Sequence, residues 1–364
     1  MIPIFDISIS KKTKKLVNKC LHENWISSQG QFVKKLEKSL CKFHNIKYCV
    51  ATSSCTSALH LSLKSLNLRF DDEVICPALT FISPANMIIA TPAKIVLVDI
   101  DPRTLTIDTQ KLQKSITKKT KAIVVVHQFG HAADMEKILQ IAKRKKIKII
   151  EDNAESIGGK YKGKLTGTFG DISTLSFFGN KVISTGEGGA ILTNNKKIYQ
   201  KCLMMRDHGM SLKKKYDFRV LGYNYRMTNI QAAIGYSQIS NLKKILKNRL
   251  NQIKTYKKYL KENDKIKFRT FEKWCSESHW LTTVHLKNKK LKIKLANYLK
   301  NFSIETRPMI PPVNSAKHIR KIYKKKFIIS QDISERSLHL PSGYQLTKKQ
   351  IILISKKVNS FLKK

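Results

Sequence analysis

Two residues in the stretch from Ile147 to Thr193 could carry chemistry together: Asp152 and Lys181. Asp152 follows an apolar run, including Ile149 and Ile150, that is typical of a buried parallel strand. Its carboxylate is therefore expected at the strand's carboxyl end, where open α/β sheets bind ligands. Lys181 lies between aromatic residues and glycines, apart from most other lysines. Partial burial there would favour the neutral amine, which is a nucleophile.

A strand-end carboxylate and a desolvated lysine are the two protein groups that a pyridoxal phosphate enzyme needs. The carboxylate keeps the pyridine nitrogen protonated, and the lysine holds the cofactor's aldehyde as a Schiff base. Nine of the fifteen glycines lie between Gly158 and Gly189, and glycine is used where backbone turns tightly or approaches a ligand. The alternative, for either residue alone, is an aspartate that caps a helix and a lysine that extends from a loop into solvent.

A second candidate site follows the strand predicted at Tyr48 to Thr52. A short polar turn leads from this strand into a helix, and the first amides of a helix attract anions. Thr56 and Ser57 are therefore candidate phosphate ligands, although simple helix capping without a ligand is an equal alternative. Phe81 lies in a loop after the next strand, where it could stack on a planar cofactor or belong to the core.

Composition limits the class of protein. The net charge is +45, but the basic residues are 59 Lys and only 11 Arg, spread along polar helical faces. This distribution argues against nucleic-acid binding as the main role, because bidentate recognition favours Arg. No signal peptide or membrane-spanning run is evident. Seven scattered cysteines without a CxxC pair argue against a disulfide framework and a metal site, so a cytoplasmic protein is expected.

The predicted elements alternate between strand and helix, which favours a mostly parallel, doubly wound α/β sheet. Thr228 is predicted to cap one long helix that runs to about residue 263 and carries the chain out of the large domain. We expect a large domain over 1–245 and a smaller one over 246–364.

Two nucleotide-binding motifs can be set aside. Residues 158–164 have the spacing of a Walker phosphate loop, but Leu165 stands where that loop needs Ser or Thr, and Tyr161 and Lys162 suit a hairpin turn. Residues 186–189 lack the last glycine of a dinucleotide fingerprint, because position 191 is Ile.

The sequence resembles the pyridoxal phosphate-dependent nucleotide-sugar aminotransferases of the DegT/DnrJ/EryC1/StrS type. The likeness covers most of the chain and includes WISSQG, EDNAESIGGKYKG, FGDISTLSFFGNK, STGEGGAILTNN, GYNYRMTNIQAAIG and ETRP. It implies an aspartate aminotransferase-like (type I) fold, with a large cofactor-binding domain and a smaller α+β domain. Homodimers with active sites at the subunit interface are typical of these enzymes.

The resemblance also implies roles for single residues. Lys181 would bind the cofactor covalently, and Asp152 would pair with its pyridine nitrogen. Other positions of the family site are Phe81 against the ring, Glu155 beside the cofactor where many relatives have Gln, Thr56, Ser57 and Ser176 at the phosphate, and Asn224 where the partner subunit reaches the site. Cys55 departs from the family, since many members have Gly there.

The implied reaction transfers an amino group, most simply from L-glutamate to give 2-oxoglutarate, onto a nucleotide-linked keto-sugar. The loop sequences most resemble enzymes that act at C4 of 4-keto-6-deoxyhexoses, of the perosamine or viosamine kind. The nucleotide stays open between UDP, GDP and dTDP. Alternatives are a 3-keto-sugar or cyclitol aminotransferase, or a non-enzymatic relative that only binds the cofactor.

Overall fold

The computed structural model describes residues 1–363 of the chain. Thirteen α-helices lie in this part: α1 Lys11–His22, α2 Gln31–His44, α3 Cys55–Ser65, α4 Ile82–Ile89, α5 Thr109–Ser115, α6 Met135–Lys145, α7 Lys196–Arg206, α8 Asn229–Ser240, α9 Leu242–Tyr259, α10 Lys289–Lys300, α11 Lys317–Ile322, α12 Ile328–Arg336 and α13 Lys348–Lys363. None of the helices within 1–363 combines the length and apolar composition that membrane crossing requires.

The same residues form fourteen strands. They are β1 Tyr48–Thr52, β2 Glu73–Pro77, β3 Lys94–Val98, β4 Thr120–Val126, β5 Lys148–Asp152, β6 Lys160–Tyr161, β7 Lys164–Leu165, β8 Ile172–Ser176, β9 Gly189–Thr193, β10 Ile266–Phe268, β11 Cys275–Ser276, β12 Thr282–Leu286, β13 Arg307–Pro308 and β14 Ser337–Leu340. Short 3-10 helices occupy Gln128–Gly130 and Val313–Ser315.

Seven strands form the central sheet, in the order β1-β9-β8-β5-β4-β2-β3. Only β9 runs antiparallel to its neighbours. Along β4, Val124 and Val126 pack with α3 on one face, whereas Ile123 and Val125 pack with α6 on the other. This burial on both faces explains the continuous apolar runs in the sequence. The predicted mostly parallel α/β sheet is confirmed.

The last third of the chain contributes a second, antiparallel sheet in the order β10-β12-β14-β13. A three-stranded sheet, β11-β6-β7, joins this region to the hairpin that follows β5. The hairpin turn lies at Lys162 and Gly163, which have φ values of 46° and 81°. The Walker-like spacing therefore encodes a tight turn, as predicted.

One predicted element is wrong: the long helix from Thr228 is two helices. Thr228 does cap α8, with a capping box to Gln231, but the helix ends before Asn241, whose φ and ψ are −104° and 2°. The Asn241 side chain donates to the Ser237 carbonyl at 3.2 Å, and such a local bond competes with helix continuation. Helix α9 spans position 245, where the large domain was predicted to end. The division into two domains at that position stays a prediction.

Candidate active site

Asp152 is the last residue of β5, and its neighbours across the sheet are Val126 of β4 and Thr174 of β8. Because these three strands are parallel, the residues that follow them meet at the same edge. The carboxyl group is buried, and its Oδ1 accepts a hydrogen bond from the Ala154 N–H at 3.0 Å. Burial raises the pKa of Asp152 to about 6, and the nearby carboxylate of Glu155 also raises it.

The strand end that carries Asp152 is held from the opposite face by Glu151. This fully buried carboxylate accepts a hydrogen bond from His127 Nε2 at 2.9 Å and three more from the backbone N–H groups of Gly167, Phe169 and Gly170, at 2.6 to 2.8 Å. His127 follows β4 and donates its backbone N–H to the Asp152 carbonyl. Two adjacent strands and the loop after β7 are thereby fixed around the site.

Lys181 lies in the loop between β8 and β9, with its side chain only 12% exposed. Its Nζ is 3.2 Å from Glu155 Oε1 and 3.8 Å from the centroid of the Trp280 ring. The second carboxylate oxygen of Glu155 accepts the Phe129 N–H at 2.9 Å. The structure thus brings Lys181 and Glu155 into contact, with Asp152 buried nearby on the next strand end.

The N-terminus of α3 supplies the expected anion site. Ser54 caps the helix by accepting from the Ser57 N–H, whereas the N–H groups of Cys55 and Thr56 donate to no other group within residues 1–363. Gly189 of β9 approaches this helix start so closely that a Cβ would lie 2.5 Å from the Cys55 nitrogen. The close approach explains a glycine here and leaves two free amides for an anion.

The predicted phosphate ligands surround this helix start. Ser176 ends β8 directly opposite Gly189. The Ser57 hydroxyl is within 3.0 Å of both the Ser53 and Ser54 hydroxyls, and Thr56 Oγ1 lies 2.9 Å from Ser83 Oγ. These residues are brought together, and their roles at a phosphate stay predictions.

Phe81 and Asn224 are the two predicted site residues at the surface. Phe81 directly precedes α4 and is 58% exposed. Asn224 is also exposed, and its Oδ1 accepts from Arg226 Nε at 3.0 Å. The Asn224 side chain makes no hydrogen bond to Lys181 among residues 1–363, although the neighbouring Tyr225 carbonyl accepts from the Ser53 N–H beside α3. Its predicted role across a subunit interface remains a prediction.

Sequence reasoning missed the segment 269–280, which closes the site from the C-terminal part of the chain. Arg269 Nη1 donates to the Phe129 carbonyl at 3.3 Å, Ser278 Oγ to the Glu155 carbonyl at 3.0 Å, and Trp280 Nε1 to the Asn180 carbonyl at 2.6 Å. No local pattern marks these residues, because they act on loops roughly 100 or more positions away. The one weak signal in the sequence is that Trp280 is one of only three tryptophans in the chain.

The arrangement fits pyridoxal phosphate. A buried carboxylate, Asp152, has no cationic partner in hydrogen-bond contact among the described residues. The buried Thr174 Oγ1 on the adjacent strand has no partner there either. A protonated ring nitrogen and the polar substituents of the ring would satisfy such groups. Free helix amides suit a phosphate, and the Lys181 amine suits an aldehyde.

Comparisons with known proteins agree with this chemistry. The model of the DegT/DnrJ/EryC1/StrS aminotransferase family matches residues 7–359. GDP-perosamine synthase of Escherichia coli O157:H7 is 39% identical over 363 residues, covering 99% of this chain and 98% of the relative. GDP-perosamine synthase of Caulobacter vibrioides is 37% identical, covering 92% and 91%. The PLP form of a putative sugar aminotransferase from Streptococcus pneumoniae has a TM-score of 0.94 at 23% identity, covering 100% and 98%.

Proposed function

Because the chain belongs to the DegT/DnrJ/EryC1/StrS aminotransferase family, whose cofactor is pyridoxal phosphate, we propose that it aminates C4 of a nucleotide-linked 4-keto-6-deoxyhexose. The product is the 4-amino-4,6-dideoxy sugar, of the perosamine or viosamine type. One observation carries the proposal: the near full-length similarity to GDP-perosamine synthases in a chain whose Lys181, Glu155 and Asp152 meet at one sheet edge.

Each side chain of this site is proposed to have a separate role in the reaction. Bound pyridoxal phosphate would supply an electron sink and a carrier for the amino group. Lys181 Nζ takes the proton from the donor's Cα and later delivers one to the sugar carbon. Asp152 keeps the ring nitrogen protonated, and Glu155 orients the lysine amine at 3.2 Å. The α3 amides and Ser176 hold the phosphate.

The relatives support a GDP-linked substrate. The two GDP-perosamine synthases compared above act on GDP-linked sugars by name, so GDP is the preferred nucleotide over UDP and dTDP. L-Glutamate is the proposed amino donor, with 2-oxoglutarate as its product. The strongly basic composition, with a net charge of +45, suits capture of a nucleotide-linked diphosphate through its negative charges.

The active form is proposed to be a homodimer with the sites at the interface. The loop between α7 and α8 carries exposed apolar side chains in the single chain, among them Tyr216 at 81% and Leu221 at 73%. Phe81, before α4, and Phe178, three residues before Lys181, are exposed as well. Large exposed apolar side chains are typical of interaction surfaces, and Asn224 lies in the loop between α7 and α8. The cytoplasm, where the seven cysteines stay reduced, is the proposed compartment.

The test is to follow the cofactor's absorbance in the purified protein. Glutamate should convert the pyridoxal form to the pyridoxamine form, and GDP-4-keto-6-deoxymannose should restore it, faster than its UDP and dTDP counterparts. NMR of the product locates the new amine at C4 or C3. A cofactor spectrum that no amino donor changes would contradict the proposal that the protein is an aminotransferase. An amine at C3, or turnover only with a cyclitol ketone, would contradict the proposed 4-keto-sugar substrate.

Lys181→Ala is the matched mutational test. The variant should still bind cofactor through the phosphate and Asp152, but turnover should fall by about 10³-fold or more, because the proton carrier is gone. Lys160→Ala removes an exposed lysine on β6 and serves as the control. Transamination by Lys181→Ala at a rate close to that of the control would disprove the role of this lysine.

A further inference from the structure

The indole of Trp280 forms one wall of the pocket that holds the Lys181 amine. Trp280 lies just before β12, about 100 residues from Lys181 along the chain, and is only 4% exposed. The Lys181 Nζ lies 3.8 Å from the ring centroid. This is well inside the ~6 Å limit at which an aromatic face attracts a cation. The lysine side chain is itself largely buried, and such attraction is stronger where water is excluded.

The ring is fixed in orientation by contacts on several sides. Its Nε1 donates to the carbonyl of Asn180, the residue before the lysine, at 2.6 Å. Phe129 stacks nearly parallel to it, with centroids 6.0 Å apart and an interplanar angle of 12°. The Trp280 carbonyl accepts from the buried Arg249 at 3.1 Å. Turning the indole away from the amine would break its Nε1 hydrogen bond and its stacking on Phe129, and the Arg249 contact holds the backbone that carries the ring.

Glu155 lies against the same amine, and its second oxygen is held by the Phe129 N–H. The amine thus contacts a carboxylate and an indole face, and Phe129 connects the two walls. The other titratable groups close to the lysine are the carboxyl of Asp152 and the thiol of Cys55. Of these neighbours only the indole attracts the ammonium without being able to accept its proton.

We propose that Trp280 is a positioning residue for Lys181: with Glu155 it forms a cradle that holds the ammonium whenever the lysine is not joined to the cofactor. This inference rests on the proposed function, in which the lysine is released in the first half-reaction, stays free until the end of the second, and must then return to the same place. The indole holds the charge but leaves the proton on the amine. Glu155 is then the only group in contact that competes for that proton.

A purely structural Trp280 would fill space between two parts of the chain and nothing more. Three variants separate the possibilities. Trp280→Phe keeps an aromatic face and loses the Nε1 hydrogen bond, whereas Trp280→Leu keeps an apolar side chain and loses the face. Trp274→Leu is the matched control, because Trp274 packs against Tyr161 and His131, away from the lysine.

The measurement is trace acetylation of the full-length, cofactor-free chain with acetic anhydride between pH 6 and pH 11, read by mass spectrometry. Label at Lys181 is divided by label at an added amine standard of known pKa, and the ratio is corrected for the standard's own protonation at each pH. Only the unprotonated amine reacts, so the pH midpoint reports protonation and the plateau at high pH reports access. Trp280→Leu should move the midpoint down by about one pH unit, a tenfold change in the protonation equilibrium. Trp280→Phe should shift it less, and Trp274→Leu should leave it in place.

A changed plateau with an unmoved midpoint in Trp280→Leu would overturn the inference, because the ring would then only restrict access. Equal midpoint shifts in Trp280→Leu and Trp274→Leu would overturn it too, since general loosening would explain both. The readout involves no cofactor and no turnover. Failure of this inference about Trp280 is therefore distinguishable from failure of the proposed function, which the cofactor spectrum of the purified protein and the turnover of Lys181→Ala test.

Discussion

Replacing Asp152 by asparagine should make the cofactor-free protein more stable at neutral pH, although it should abolish efficient catalysis. The carboxyl group is fully buried without a cationic partner in contact, and burial raises its pKa from 3.8 to about 6. Between these two values the folded protein keeps a proton that the unfolded chain has lost. Stability contributed by this group is therefore present below about pH 4 and is lost as the pH rises to about 6.

The size of the effect follows from the same two pKa values. The difference is about 2 units, and each unit corresponds to 1.36 kcal/mol, so ionised Asp152 costs about 3 kcal/mol of folding free energy at pH 7. Asparagine is similar in shape and carries no charge, so it avoids this cost. The gain of Asp152→Asn over the wild type should be near zero at pH 4 and about 3 kcal/mol above pH 7.

The assay is urea unfolding of the cofactor-free proteins at several pH values between 4.5 and 7.5. Comparing each variant with the wild type at the same pH cancels the titration of all other groups. Asp264→Asn, at an exposed position, is the control and should show no such trend. A gain for Asp152→Asn that stays constant with pH would refute the reasoning, because the stability difference would then not come from ionisation.

Two further substitutions probe the walls of the site. Glu155→Gln keeps an acceptor for the Phe129 N–H but loses the negative charge, so kcat should fall less than tenfold. If kcat fell as far as in Glu155→Ala, measured in the same assay, the hydrogen bond to Phe129 would not be what Glu155 contributes. Gly189→Ala places a Cβ 2.5 Å from the Cys55 nitrogen, and should weaken cofactor binding by at least about tenfold in spectroscopic titrations. In the control Gly179→Ala, the new Cβ would have only one atom within 4 Å, at 3.9 Å. A similar loss of cofactor binding in this control would show that the effect of Gly189→Ala does not come from the clash at the start of α3.

The sequence predicted the parts of the fold whose pattern is local. Strand β1 and the buried run of β5 lie where the sequence pattern placed them, and Thr228 caps α8 as expected. The break at Asn241 escaped prediction, because residues 236–246 contain neither glycine nor proline to mark it. It depends on one asparagine side chain that binds a backbone carbonyl.

The residues of the candidate site likewise include some that local sequence marks and some that it does not. Asp152 and Lys181 were found from strand ends and glycine-rich loops, which are features of adjacent sequence. Trp280 was missed because its importance comes from packing against residues about 100 positions earlier. The structural role of Glu151 was missed as well. Glu151 and Asp152 are successive acidic residues on a strand, so their side chains point to opposite faces. The sequence does not show which of the two carboxylates accepts the backbone N–H groups.

The three hydrogen bonds from the segment 269–280 onto the earlier site loops have a consequence for the newly made chain. A ribosome that has released the first 200 residues has already synthesised Asp152, Glu155 and Lys181, but not the tryptophan and arginine that enclose them. Until the later segment docks, the lysine amine lacks the indole wall that covers it in the finished fold. Stable cofactor loading is therefore expected to be a late event of biogenesis, after most of the chain has left the ribosome.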